Sequence, residues 1–263
     1  MDFRILSGIG TTNYLLVLPF IFLAGLIDSI AGGGGLISLP AYWSIGIPPH
    51  TALGTNKFSS CCGTIFSTAR YFHAGMIDVP VALWSAAAAL LGSWLGARVA
   101  LLVSASFLNY MLVVLIPCLT LLTLLKKDIG RNDHSARLRL GYRIGLGITA
   151  GLVIGFYDGF FGPGTGTFLI LIYAVLLKYD FVVSNANTKV VNLASNVAAL
   201  VTFAIAGKIL YAIAIPGALC GIAGNLLGAR LVIKKGNGLI RVIFILALIL
   251  LLGRVLSNLL SRI

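Results

Sequence analysis

The strongest constraint in this sequence is a succession of eight apolar stretches, near 14–31, 52–72, 79–102, 106–126, 142–161, 185–206, 209–233 and 238–260. Each is close to the roughly 20 residues that an α-helix needs to cross a hydrocarbon core about 30 Å thick. They are continuous Leu/Ile/Val/Ala runs without alternation, so the demand for internal backbone hydrogen bonds favours helices over a closed β-barrel. Composition agrees, with 59% of the 263 residues hydrophobic, 10% charged and a mean hydropathy of +1.04. A water-soluble globule is excluded. The expected fold class is all-α, a polytopic transmembrane helical bundle, with the lipid bilayer as its surroundings.

The net charge of +12 arises from 19 Lys and Arg against 7 acidic residues, all of them Asp. The bases fall mostly between or beside the apolar stretches, where cytoplasmic loops and anionic headgroups account for them, so nucleic acid is not an expected partner. Residues 127–141, flanked by Lys126 and Arg143, form a basic linker expected to be cytoplasmic. Cys61, Cys62, Cys118 and Cys220 show no metal-type spacing and read as small core residues. The first apolar stretch runs past signal-peptide length without an A-x-A-type exit and reads as a retained span.

The linker divides two segments, 1–126 and 142–263, that repeat each other. Gly92-Ser-Trp-Leu-Gly96-Ala97-Arg98 in the first recurs in the second as Gly224-Asn-Leu-Leu-Gly228-Ala229-Arg230. Ala74-Gly75 and Asn56-Lys57 fall on Ala206-Gly207 and Thr188-Lys189 at the same offset. Asp28-x-x-x-Gly32-Gly33-Gly34-Gly35 matches Asp158-x-x-x-Gly162-Pro163-Gly164-Thr165 at a slightly shorter one. Four landmarks in one order imply two internal transmembrane repeats, a build that secondary transporters use to hold substrate at mid-membrane depth. Five crossings per half make the repeats inverted and four make them parallel; the placement of Lys and Arg leans to inverted.

The glycine clusters predict broken helices, with short pieces near 35–46 and 164–178 too short to cross alone. Breaks inside a membrane are tolerated only where protein or a wet cavity satisfies the freed backbone. The N-terminus of the helix after each break offers free N–H groups and a positive dipole end to an anion. Candidate substrate-binding positions are therefore Gly33, Gly34 and Gly35 in the first half and Gly164 and Thr165 in the second, with Thr167 as a further hydroxyl donor. Thr55, Asn56 and Lys57, and their counterparts Asn187, Thr188 and Lys189, add a point charge flanked by neutral donors, a chemistry matched to a small oxyanion. Asn192 and Asn196 lie on nearly the same helix face and extend a polar lining or bond between helices.

Asp28 and Asp158 sit within apolar runs, where a lone carboxylate is expensive. Each reads either as a carrier of a coupling proton or cation, or as a structural partner of Lys57 or Lys189. The Gly92/Gly96, Gly224/Gly228 and Gly147/Gly151/Gly155 stripes read as close helix packing, within one chain or between two copies, which leaves a homo-oligomer open. No HExxH, GxSxG or P-loop occurs and the three histidines are scattered at 50, 73 and 134, so no enzyme activity, cofactor or metal is expected.

The ordered set of Asp28-x-x-x-Gly32-Gly33-Gly34-Gly35, Leu39-Pro40, Gly54-Thr55-Asn56-Lys57, His73-Ala-Gly75 and Gly96-Ala-Arg98, with its weaker second copy, resembles the sulfite exporter TauE/SafE family. The resemblance runs from about Leu16 to Leu256. It implies a bacterial cytoplasmic-membrane transporter whose cargo is sulfite or an organosulfonate, usually moved outward. The second copy departs from the family pattern at Pro163, Thr165 and Asn187-Thr188-Lys189. A passive anion channel and a non-transporting membrane scaffold are the alternative readings of the same chain.

Overall fold

The computed structural model describes residues 11–104, 130–240 and 242–243. Among these residues there is no strand. The helices are α1 (Thr11–Ala31), α2 (Gly35–Ser44), α3 (Pro49–His73), α4 (Val79–Leu102), α5 (Leu140–Phe160), α6 (Thr165–Leu176), α7 (Phe181–Ile205) and α8 (Tyr211–Lys235). Five of them, α1, α4, α5, α7 and α8, are long and apolar enough to cross a membrane. Of the eight expected spans, 106–126 lies outside the described residues and 238–260 almost wholly so. The span expected at 52–72 forms as α3, which has the length, 25 residues, but carries Thr55, Asn56, Lys57, Ser59, Ser60 and Thr64 along it.

Local chemistry sets the helix limits. Pro49 opens α3 in the first turn, where a missing N–H costs nothing. The Asp180 carboxylate caps α7 by accepting from the Val183 amide at 2.8 Å. The repeated Ala74-Gly75 and Ala206-Gly207 pairs close α3 and α7. α5 already begins at Leu140, inside the expected linker.

Two parallel helix pairs are packed by the small-residue stripes. α4 lies along α5, with a Cβ on Gly151 meeting the Ser85 carbonyl at 2.2 Å and one on Gly159 meeting the Ser93 carbonyl at 2.0 Å. α8 lies along α1 in the same way, with a Cβ on Gly224 at 2.2 Å from the Phe22 carbonyl. The stripes are thus spent on contacts within the chain. α3 and α7 cross between these pairs and run antiparallel, Lys57 meeting Asn196 at 3.0 Å and Thr68 meeting the Lys189 carbonyl at 3.2 Å. α1 and α5 likewise start at opposite ends of the bundle, as do α4 and α8. Large apolar side chains such as Leu15, Leu83, Trp84, Val153 and Leu219 face outward, as a lipid-facing rim requires.

One end of the bundle gathers the starts of α4, α5 and α7. There Asp78 accepts from Arg143 and from the Tyr179 hydroxyl, both at 2.6 Å. Burial, reinforced by the Asp78 carboxylate, pushes the Tyr179 phenol well above its ordinary value. A raised phenol favours the folded state fully below the unfolded tyrosine value of about 10 and loses that contribution as pH climbs beyond it. Thermal stability should therefore fall as pH rises above about 10, and Tyr179→Phe should flatten that part of the profile. An equally steep decline in Tyr179→Phe would assign the effect elsewhere.

A paired-charge site between two broken helices

The first break is Gly32 and Gly33, both with positive φ (+73° and +85°), followed by Gly34 and the start of α2. The second is Gly162 (φ +95°), Pro163 and Gly164 (φ +81°), followed by α6. The breaks meet back to back. A Cβ on Gly32 would lie 2.4 Å from the Gly166 carbonyl carbon, so only two glycines permit this approach. Nearby side chains take up the carbonyls that the breaks free. Thr165 donates to Gly162 O at 2.7 Å, Thr167 to Ala31 O at 3.3 Å, Tyr157 to Pro163 O at 2.5 Å, and Asn185 and Tyr71 both donate to Ser29 O, at 2.8 and 2.9 Å.

α3 and α7 deliver one lysine each to the opposite half. Lys57 pairs with Asp158 at 2.7 Å and donates to Asn196 Oδ1 at 3.0 Å. Lys189 pairs with Asp28 at 2.9 Å and also donates to the Asp28 carbonyl. Burial of such ions is tolerated only with this pairing. The two carboxylates differ in surroundings. Asp158 is 3% exposed at its side chain and also accepts from Ser195 at 2.5 Å, whereas Asp28 is 15% exposed and has only a long 3.4 Å contact from the Gly34 amide.

A small polar cavity opens at the centre, lined by Asp28, Gly33, Gly34, Gly35, Asn56, Lys57, Ser60, Asp158, Gly162, Thr165, Gly166, Asn192 and Asn196. Its free space of about 20 Å³ holds a water molecule or so. The N-terminal turns of α2 and α6 both contribute to it. Of the expected substrate positions, the structure brings together Gly33, Gly34, Gly35, Asn56, Lys57 and Thr165, with Asp28 and Asp158 beside them. Thr165 points its single proton at Gly162 O, so it offers the cavity lone pairs rather than the expected donor. The other expected positions lie outside the lining. Thr55 accepts from the Leu210 amide at 3.0 Å on the far side of α3, Asn187 donates to Val183 O at 2.8 Å, Thr188 is fully buried and Gly164 caps α6. Lys189 reaches the site through Asp28 alone.

Ser60, Ser195, Gly162 and Gly166 belong to the site and were not among the expected residues. Ser60 falls one turn after Asn56 on the same face, a periodicity that could have flagged it. Ser195 had no such signal, because its partner Asp158 comes from another helix.

Residues 17–255 match the family model "Sulfite exporter TauE/SafE". The chain belongs to the TauE/SafE family. It is 36% identical to the probable membrane transporter protein YfcA of Escherichia coli K12 over 83% of this chain and 80% of that one. It is also 36% identical to the probable membrane transporter protein ORF9 of a Sinorhizobium species, over 93% and 94% of the two chains. A weaker similarity, 27% identity over 35% of this chain and 21% of the other, links it to the Arabidopsis thaliana sulfite exporter TauE/SafE family protein 3. No solved structure matches the chain. As a TauE/SafE protein it is a membrane transporter, and its paired-charge site lies within the matched region.

Proposed function

We propose that this chain carries a small sulfur-containing oxyanion, sulfite or an organosulfonate, outward across the bacterial cytoplasmic membrane, coupled to a proton or cation gradient. The observation that supports it most is the central cavity, where Lys57 and Asn196 face the N-terminal turns of two broken helices. Backbone dipoles and one ammonium aimed at a common point suit an anion. The substrate class rests on the family name. Free space for little more than one water favours a carrier that rearranges around its cargo over an open channel.

Several features of the fold support two inverted repeats joined by the basic linker. Counterpart helices run in opposite directions, and each lysine pairs with the aspartate of the other half. Arg131, Arg137, Arg139, Arg143, Lys178, Lys234 and Lys235 cluster at the end where α4, α5 and α7 begin, which makes that end cytoplasmic under the positive-inside rule. The two halves then share the site as each access state forms.

Transport into sealed inside-out vesicles tests this reading, with labelled sulfite and a small sulfonate in parallel. Lys57→Gln and Asn196→Ala, each removing a polar contact of roughly 1.5–3 kcal/mol, should lower the initial rate about tenfold or more at matched protein levels. Wild-type rates in both variants would remove the site assignment, and no flux of either anion would remove the substrate class.

A further inference from the structure

The four ionised groups of the site, two aspartates and two lysines, sum to zero charge. An anion entering this buried centre would leave it with an uncompensated negative charge, which a low-dielectric interior penalises heavily. Uptake of one proton by one aspartate restores the balance. The two aspartates are not equivalent candidates. Asp158 borders the central cavity but is doubly held: Lys57 and Ser195 both donate to its Oδ2, and the Ser195 carbonyl is itself held by Ser93 at 2.6 Å.

Asp28 instead borders a second cavity, lined also by Ile21, Gly25, Ser59, Gly221 and Asn225, which runs from the centre back along α1. Asn225 occupies the position that Ser93 holds in the other half, each following the first glycine of the repeated Gly-x-x-x-Gly-Ala-Arg element. Its amide nitrogen donates to Gly221 O at 3.0 Å in a seat left by Gly25 and Gly63, where a Cβ would come within 3.0 and 2.4 Å of it. Its Oδ1, in a residue 2% exposed, has no hydrogen-bond partner. The serine hydroxyls of this chamber spend their protons on Asn56 and on backbone carbonyls. An acceptor-rich chamber with an orphan acceptor and a carboxylate at its inner wall calls for a donor.

We propose that Asp28 is the proton-binding group of the carrier: it takes a proton through the Asn225 chamber as the anion arrives, releasing Lys189, while Asp158–Lys57 stays ionised and fixed. The proton binds an Asp28 carboxylate oxygen, the Lys189 ammonium loses that partner but keeps the Asp28 carbonyl, and the site gains one positive charge to match the anion. The other titratable groups around Asp28 are Lys189 on α7, Lys57 and Tyr71 on α3, Tyr42 on α2 and Asp158 on α5. α6 and α8 place no ionisable group on either cavity wall.

This inference rests on the anion-transport reading, and two measurements separate the fates of the two. An infrared pH titration of the purified protein, without anion, should show a protonated-carboxyl band that is absent in Asp28→Asn and retained in Asp158→Asn. Should Asp158→Asn fail to insert, Ser195→Ala substitutes for it: the midpoint holds if Asp28 titrates and shifts if Asp158 does. A band lost with Asp158 instead, or no band at all, overturns the inference. Methanesulfonate, which stays ionised throughout, is then added to unbuffered protein. Wild type should take up one proton per bound anion and Asp28→Asn none, the latter binding with pH-independent affinity. Binding without proton uptake overturns the inference and leaves the transport reading intact. Failure of wild type to bind methanesulfonate, sulfite or thiosulfate at any pH overturns the sulfur-oxyanion reading, while the infrared titration still decides the role of Asp28.

Discussion

Replacing Asp158 by alanine should cost about 3–5 kcal/mol of stability, the largest loss expected from any single side chain of the site. The Lys57 ammonium is 3% exposed at its side chain and would keep only Asn196 Oδ1 as a partner. The same change orphans the Ser195 hydroxyl, which donates to Asp158 at 2.5 Å. A loss of that size shifts the folded-to-unfolded ratio by about two to four powers of ten. The double replacement Lys57→Met/Asp158→Leu should behave quite differently. Buried ion pairs exchanged for apolar residues of similar volume are often neutral or stabilising by about 1–4 kcal/mol, so the double variant should be far more stable than Asp158→Ala. It should nevertheless be inert in transport, because the charge facing the cavity is gone. Reversible unfolding in detergent, read alongside vesicle flux, checks both halves of the prediction. A double variant as unstable as the single one would mean that Lys57 and Asp158 hold the fold through contacts other than each other. A double variant that still transports would take the anion site away from Lys57.

This split between stability and function also marks what could be read from the chain alone. The apolar stretches, the two glycine breaks and the Asp, Asn and Lys positions around them follow from chemistry local to each segment. A four-glycine cluster cannot continue a membrane helix, and a lysine beside Asn and Thr is polar wherever it lies. What the chain conceals is which half answers which. Asp28 and Lys57 are neighbours within the first half of the sequence, yet Asp28 pairs with Lys189, and Lys57 crosses to Asp158. That exchange depends on the antiparallel crossing of α3 and α7, a tertiary fact. The polar triplets mislead for a related reason. Thr55 and Asn187 sit two positions before their lysines, about 200° around the helix, so they face the neighbouring helices and loops rather than the cavity. Ser60, Asn192 and Asn196 follow a lysine by whole turns of helix, share its face and reach the centre.

The second large effect belongs to backbone rather than charge. Gly32→Ala should destabilise the protein by about 2–5 kcal/mol, combining left-handed strain of roughly 1–2 kcal/mol with overpacking of about 1–3 kcal/mol. Gly46 supplies the control. Its φ of +82° resembles the +73° of Gly32, yet a Cβ there meets nothing within 4 Å, whereas at Gly32 it would meet the Gly166 carbonyl carbon at 2.4 Å and the Thr167 nitrogen at 2.5 Å. Gly46→Ala should therefore show the strain alone, and the difference between the two variants isolates the contact between the breaks. Both close neighbours are backbone at the start of α6, so relief requires the two breaks to part by about 1 Å, and Asp28 and Thr165 move apart with them. A displacement of that size in a positioned site costs on the order of 100-fold in rate. Vesicle flux should accordingly collapse in Gly32→Ala and survive in Gly46→Ala. Equal flux in the two variants would show that the central site tolerates separation of the broken helices, and that their close apposition serves packing rather than the geometry of the cavity.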